Sequence, residues 1–158
     1  MGLRAQLLGH SCSFDAEITA DYGDKLHTFS VSCEGDSQGN LGFTIRAPES
    51  ISGITGSVSK ENGKLTFADT ALAFPLLADG QVTPVSAPWL LLKTLQSGYL
   101  TSAGMEEDLL RLTINDSYEE NALQLDIWLN DGNQPILADI LYDGRRILAL
   151  SVKNFQIL

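Results

Sequence analysis

The stretch that most constrains this chain runs from Pro135 to Leu158, PILADILYDGRRILALSVKNFQIL. Two β-rich runs flank Asp143-Gly144. That dipeptide suits a two-residue type I′ turn, because both central positions need φ above zero. Pairing Tyr142 with Arg145 sets the register. Ile140 then faces Ile147 and Ala138 faces Ala149 on one side of the hairpin. On the other side Leu137 faces Leu150 and Leu141 faces Arg146. Apolar residues on both sides imply a hairpin that is covered on both faces.

Upstream, Cys12 to Tyr22 alternates strictly. Phe14, Ala16, Ile18, Ala20 and Tyr22 point one way, and Ser13, Asp15, Glu17, Thr19 and Asp21 the other, as a half-buried strand requires. Lys25 to Glu34 repeats the pattern with Phe29, Val31 and Cys33, after a turn at Asp21-Tyr22-Gly23-Asp24. A four-residue loop sets Ala20 opposite Lys25 and Cys12 directly opposite Cys33, within bonding range. A two-residue loop at Gly23-Asp24 keeps the apolar face together and sets the cysteines diagonally. The first register predicts a Cys12–Cys33 disulfide and, with it, an oxidising compartment. The alternative is two buried thiols.

Leu41 to Ala47 is a third strand, stopped by Pro48. Gly53–Lys60 and Lys64–Asp69 form a hairpin around Asn62-Gly63. Ala71 to Leu77 carries Pro75 and reads as an edge or irregular segment. The best helix runs from Ser86 to Gly98, with Ser86 as N-cap, Pro88 in the first turn and Gly98 as C′ signal. Its stripe of Trp89, Leu91, Leu92 and Leu95 either packs into the core or forms the rim of a ligand cavity. Strands follow at Tyr99–Ala103, Leu109–Asn115 and Ala122–Asn130. Residues 3–9 read as the last turns of a helix ending at Gly9, so residues 1–10 are the remnant of an N-terminal helix. The fold class is mainly β (α+β), a single domain over residues 1–158. About ten or eleven strands lie in one antiparallel sheet, and a sheet that wide curls.

The chain has 158 residues, 44% of them hydrophobic, which is enough to build a sizeable core. Its net charge of -10 argues against nucleic acid or an anionic membrane surface as partner. No apolar run is long enough to span a membrane as a helix, and no signal peptide is visible. The abrupt start suggests a native leader cut away. The chemistry is sparse. His10 and His27 lack ligand-spaced partners, so no metal is expected. There is no nucleophile elbow, no triad and no phosphate loop. Glu106-Glu107-Asp108 and Glu119-Glu120 read as solvated turns, and Asn115-Asp116-Ser117 matches a glycosylation pattern of low specificity. No enzyme activity and no cofactor are expected.

Three segments together carry a resemblance: Trp128-Leu129-Asn130-Asp131-Gly132-Asn133-Gln134-Pro135, Ala138 to Arg146 around Asp143-Gly144, and Leu150-Ser151-Val152-Lys153-Asn154-Phe155. This last third of the chain resembles the closing strands of the LolA/LppX-like lipoprotein-carrier superfamily of bacterial exported proteins. The resemblance implies a curved antiparallel half-barrel with one or two helices in its concave face. It also implies export to the cell envelope, with membrane anchoring through a leader. Two kinds of partner follow, a lipid or acyl chain in the concavity or another envelope protein. The carrier's lipid-handling arginine has no matching position here. For a hydrophobic or lipid ligand, Trp89, Leu92, Leu95 and Phe74 are the cavity-lining candidates. The alternative is a cell-surface interaction or structural module whose interior is filled by its own side chains.

Overall fold

The computed structural model describes residues 2–59, 65–67, 77, 82–116 and 122–158. Its strands are β1 (Cys12–Asp21), β2 (Leu26–Gly35), β3 (Leu41–Ala47), β4 (Thr55–Val58), β5 (Leu65–Phe67), β6 (Tyr99–Glu106), β7 (Leu109–Asn115), β8 (Gln124–Leu129), β9 (Pro135–Tyr142) and β10 (Arg145–Ile157). They form one ten-stranded sheet in the order β5-β4-β3-β2-β1-β10-β9-β8-β7-β6. Two meanders therefore run outward from a central pair, β1 and β10. The sheet is curved and open, and the helices α1 (Gly2–Gly9) and α2 (Ala87–Ser97) lie in its concave face. This is the half-barrel that the resemblance implies.

Alternation decides which face becomes the core. The register lines up Phe29, Ile18, Leu150, Ala138, Ile127 and Leu112 in one row across β2, β1, β10, β9, β8 and β7. Every residue of that row is buried. The neighbouring row, Ser30, Glu17, Ser151, Leu137, Trp128 and Arg111, faces outward and none of it is buried.

Of the two β1–β2 registers read in the sequence the structure takes the one with the two-residue loop, and the β9–β10 register departs from the expected one. Between β1 and β2, Asp21 pairs with Leu26, and the Tyr22 N–H donates to the Lys25 carbonyl at 3.0 Å. The loop is the two-residue turn Gly23-Asp24. Gly23 sits at φ +91° and donates to Asp21 Oδ1 at 2.8 Å. Arg145 ties the turn to β10 through the Asp21 carbonyl, at 2.9 Å. Cys12 consequently opposes Gly35, and Cys33 opposes Phe14. The cysteines are diagonal neighbours, a geometry with Cα atoms roughly 7–8 Å apart, beyond the reach of an unstrained bridge. Both are free and buried, so the expected Cys12–Cys33 disulfide is replaced by two thiols.

Burial pushes the Cys12 thiol up to about 11 and raises that of Cys33 as well. Thiolates are therefore disfavoured at both positions. The folded protein is expected to resist an aromatic disulfide reagent at pH 8, and both thiols to react once it is denatured. Rapid reaction of either cysteine in the native state would contradict their placement.

In the β9–β10 hairpin the turn is as expected. Asp143 and Gly144 have φ of 52° and 77°, and Tyr142 pairs with Arg145. A bulge between Arg146 and Leu148 then shifts the register, so that Leu148 faces Ile140 and Leu150 faces Ala138. A bulge lets two consecutive residues turn inward where a regular strand buries only one. Ile147 and Leu148 are both buried as a result. Leu137, opposite Ser151, is left 42% exposed, so the hairpin is covered on one face only. A second irregularity in β10 places Asn154 at φ 56°, where its amide donates to Asp15 Oδ2 at 2.9 Å. Phe155 is turned into the core against Phe14, with ring centroids 5.8 Å apart.

Elsewhere β4 is shorter than the expected strand, β5 is described over Leu65–Phe67, β6 is longer than expected, and β8 begins at Gln124. The Asn62-Gly63 turn, the Pro75 segment, Ser117 and Glu119-Glu120 lie outside the described residues. His27 is exposed, edge-on to Tyr22 and stacked beside Phe29.

Candidate functional site

The site that the sequence singles out is the seat of α2 in the concave face. The helix is apolar almost all round, and nine of its eleven residues are buried. A helix of that kind is stable only when it is enclosed. Its first turn departs from the expected cap. A 3-10 turn, Pro84–Ser86, leads into it, so Ser86 is already helical at φ -82° and ψ -5°. The Ser86 hydroxyl donates to the Thr83 carbonyl at 2.7 Å and caps nothing. Gly98 is not left-handed either, at φ -73° and ψ 170°. It is small because Ile114 and Thr94 crowd it.

Polar contacts pin both ends of α2. Near its start, the Trp89 indole N–H donates to the Gly39 carbonyl at 2.9 Å, in the loop between β2 and β3. Asp36 shapes that loop. Its Oδ1 accepts from the Gln38 and Asn40 N–H groups at 2.9 Å each, and its Oδ2 accepts from the Asn40 amide at 3.0 Å. Burial alone would raise the Asp36 pKa, but the hydrogen bonds from Asn40, Gln38 and Gly39 hold it below the usual carboxylate range. The Gln96 amide reaches the Leu7 carbonyl at 3.1 Å and the Asp36 carbonyl at 3.2 Å. At the far end, Arg4 of α1 donates to three carbonyls of α2 and its cap: Leu95 at 2.7 Å, Gly98 at 2.9 Å and Thr94 at 3.2 Å.

A guanidinium on the carboxyl end of a helix satisfies carbonyls that lack partners and opposes the helix dipole. Hydrogen bonds to charged groups contribute about 1.5–3 kcal/mol each, and less when part-exposed. Arg4→Ala is expected to destabilise the fold by about 2–3 kcal/mol, read as a lower denaturant midpoint. Arg4→Lys should recover little of it, because an ammonium cannot fork across three acceptors. A loss under about 0.5 kcal/mol, within the range of ordinary surface substitutions, would show that the latch is idle.

Of the residues proposed to line a cavity, the structure brings three together. Trp89, Leu92 and Leu95 are 7%, 2% and 1% exposed, within the same core as the sheet. Leu92 lies against Gly35, where an added Cβ would collide with it. All three fill the concavity. Phe74 lies outside the described residues.

Among the described residues, nothing covers the concave face at its β6 edge. Leu100 faces Ile114, Ala103 faces Leu112, and Met105 faces Leu110. These three β6 residues therefore continue the inner row, yet Leu100 is 54% and Met105 70% exposed. The sequence did not single them out, because a shift at Thr101, whose hydroxyl donates to the Thr113 carbonyl, breaks the period of two.

The outer face carries a charged cluster. Asp126 is buried, and accepts from Arg111 Nη2 at 2.8 Å and from the Thr113 hydroxyl at 2.9 Å. Arg111 also pairs with Glu106 at 3.1 Å and lies over the Trp128 ring at 5.3 Å. Asp139 pairs across the strands with Asp126 and sits 3.8 Å from Arg146. Burial, and then the Asp126 charge, raise the Asp139 pKa against the pull of Arg146 and Arg111. Beside it is a depression of about 340 Å³ lined by Glu17, Thr19, Trp128, Leu137, Asp139 and Arg146, among others. Each of these two carboxylates has a guanidinium neighbour, so the cluster is a structural ion network. Among the described residues there is no group of three or more His, Cys, Asp or Glu that could hold a metal ion, and no helix long and apolar enough to cross a membrane.

No protein-family model and no curated protein matches the sequence. Solved structures similar to this one include an uncharacterized conserved protein from Thermus thermophilus, with 9% identity, a TM-score of 0.49, and coverage of 98% of this chain and 83% of that one. A LolA superfamily protein from Nitrosomonas europaea is similar at 10% identity and a TM-score of 0.48, over 99% of this chain and 92% of that one. The MucA/MucB complex of Pseudomonas aeruginosa is similar at 10% identity and a TM-score of 0.44, over 98% of this chain and 54% of that one.

Proposed function

We propose that this chain is an exported bacterial cell-envelope protein that acts as a protein-interaction module, a half-barrel whose interior is filled by its own side chains. The packing of α2 carries the proposal. Trp89, Leu92 and Leu95, the side chains that would have to face an open cavity, are packed into the core, and the helix that bears them is latched at both ends. Export and membrane anchoring come from the sequence resemblance, and the two free thiols lend them no support. No catalytic role is proposed. Native mass spectrometry after incubation with phospholipid and fatty acid tests the filled interior. The expected result is bare protein mass. Stoichiometric added mass that falls away on denaturation and extracts as lipid would overturn it.

One observation favours a second proposal, a hydrophobic or lipid ligand. Leu100 and Met105 leave apolar surface open on the concave rim, where an acyl chain could lie. In that case the added lipid mass should disappear in Met105→Lys while the fold is kept.

A further inference from the structure

We infer that the free edge of β6 is a docking site for an extended segment of a partner protein. The segment would add as an eleventh strand, with apolar residues at alternate positions and a basic residue beside the β6–β7 turn. The inference rests on the interaction-module proposal and names its surface.

β6 ends the sheet and, among the described residues, pairs with β7 alone. All eight of its residues are exposed. From Leu100 to Glu106, no described strand pairs with its outer side, and the backbone N–H and C=O groups there are a template for another strand. Soluble proteins usually blunt such an edge with proline, lysine, a charge turned inward or a very short strand. At the opposite edge, β5 is described only over Leu65–Phe67. β6 has eight residues, YLTSAGME, with no proline and no basic residue. Its one charge, Glu106, is at the end. Its sole irregularity is the shift at Thr101.

The two faces of this edge differ in chemistry. Leu100, Ala103 and Met105 stand on the inner side, in register with Ile114, Leu112 and Leu110. Ser102, Gly104 and Glu106 stand on the outer side, in register with Thr113, Arg111 and Leu109. An incoming strand with alternate apolar residues would extend the inner row by one position and cover Leu100 and Met105.

Charge selects the kind of partner. The β6–β7 turn is Glu107-Asp108, both residues exposed and both left-handed, at φ 49° and 69°. Neither forms an ion pair among the described residues, whereas Glu106 already holds Arg111. The acidic end is open to a lysine or arginine of the arriving strand. A second copy of this chain is a poor occupant, because each carries a net charge of -10.

The test uses a labelled short peptide alternating valine or leucine with threonine and ending in two lysines, and a twin ending in two glutamates. Anisotropy should show the lysine peptide binding at least about tenfold tighter at low salt, a gap that narrows as salt screens the pairing. Amide exchange should slow along β6. Leu100→Lys and Met105→Lys should each weaken binding about tenfold or more, whereas Leu137→Lys on the outer face leaves it unchanged. Equal binding of the twins, protection away from β6, or indifference to Leu100→Lys and Met105→Lys would overturn the assignment. So would concentration-dependent dimers protected at β6, which would make the occupant a second copy. Failure of the peptide on a bare, lipid-free chain rejects the edge and leaves the module. Retained lipid in the native spectra rejects the module, whatever the peptide does.

Discussion

A chain that stops at Asp143 loses its cooperative unfolding transition. β10 lies at the centre of the sheet, with β1 on one side and β9 on the other. It buries Ile147, Leu148, Leu150, Val152 and Phe155. At about 1.5–3 kcal/mol for each fully buried side chain, those five contribute roughly 7–15 kcal/mol, as much as the whole net stability of an ordinary domain. Removing β10 also leaves β1 and β9 as two new open edges inside what was one sheet. Circular dichroism with denaturant should show a broad, probe-dependent change in place of a single transition. Leu148→Ala is the milder version, since Leu148 is fully buried, and should lower stability by about 3 kcal/mol while keeping cooperativity. A truncated chain that still unfolds in one sharp step would mean that the N-terminal meander folds alone, and that the central pairing is dispensable.

The same centrality explains why so much of the fold was legible. Strands such as β1 and β3 have one buried and one outward face, so their side chains alternate, and alternation is what a sequence displays. The boundaries of β3 and β7 follow directly. Bulges are what a sequence hides. The shifts near Ile147, Asn154 and Thr101 each let the chain break its period locally, and no regular register anticipates them. The choice between the two cysteine registers stayed open for a different reason. Loops of two and four residues keep the same apolar face together, and the choice fell to polar contacts of Asp21 with Gly23 and with Arg145, a residue from the far end of the chain.

The candidate site was legible as an apolar helix and no further. Its stripe of Trp89, Leu91, Leu92 and Leu95 fits a cavity wall and a filled core equally well, and only contact with the sheet separates the two. The latch at Arg4 was out of reach, because it joins residues ninety or more positions apart. On a regular strand Asp126 would be one more outward residue. It is buried because Thr113 and Arg111 from β7 cover it, and the Arg111 guanidinium is itself laid over Trp128.

Gly98→Ala should be the most damaging single added methyl in the described residues outside the turns. An alanine Cβ there would sit 2.5 Å from Ile114 Cγ2, 2.7 Å from the Thr94 carbonyl oxygen and 2.9 Å from Thr94 Cγ2. Ile114 and Thr94 are both fully buried, so neither side chain has solvent to retreat into. The backbone conformation itself suits any residue, so the cost is purely one of space. Overpacking of this kind costs about 1–3 kcal/mol, and the upper end or more is expected where a backbone oxygen is the obstacle. That oxygen also accepts the Gly98 N–H at 2.8 Å and Arg4 Nη2 at 3.2 Å. Displacing it should loosen the latch from α1. Gly98→Ala and Arg4→Ala combined should therefore lose less than the sum of the two separately, by about 1 kcal/mol, as expected for residues sharing one partner. Gly104→Ala is the control, since nothing lies within 4 Å of the added carbon, and it should stay within about 0.5 kcal/mol of the parent. Strict additivity of the Gly98 and Arg4 substitutions would mean that the crowding is relieved through Ile114, on the sheet side, and that the helix end is held independently of it.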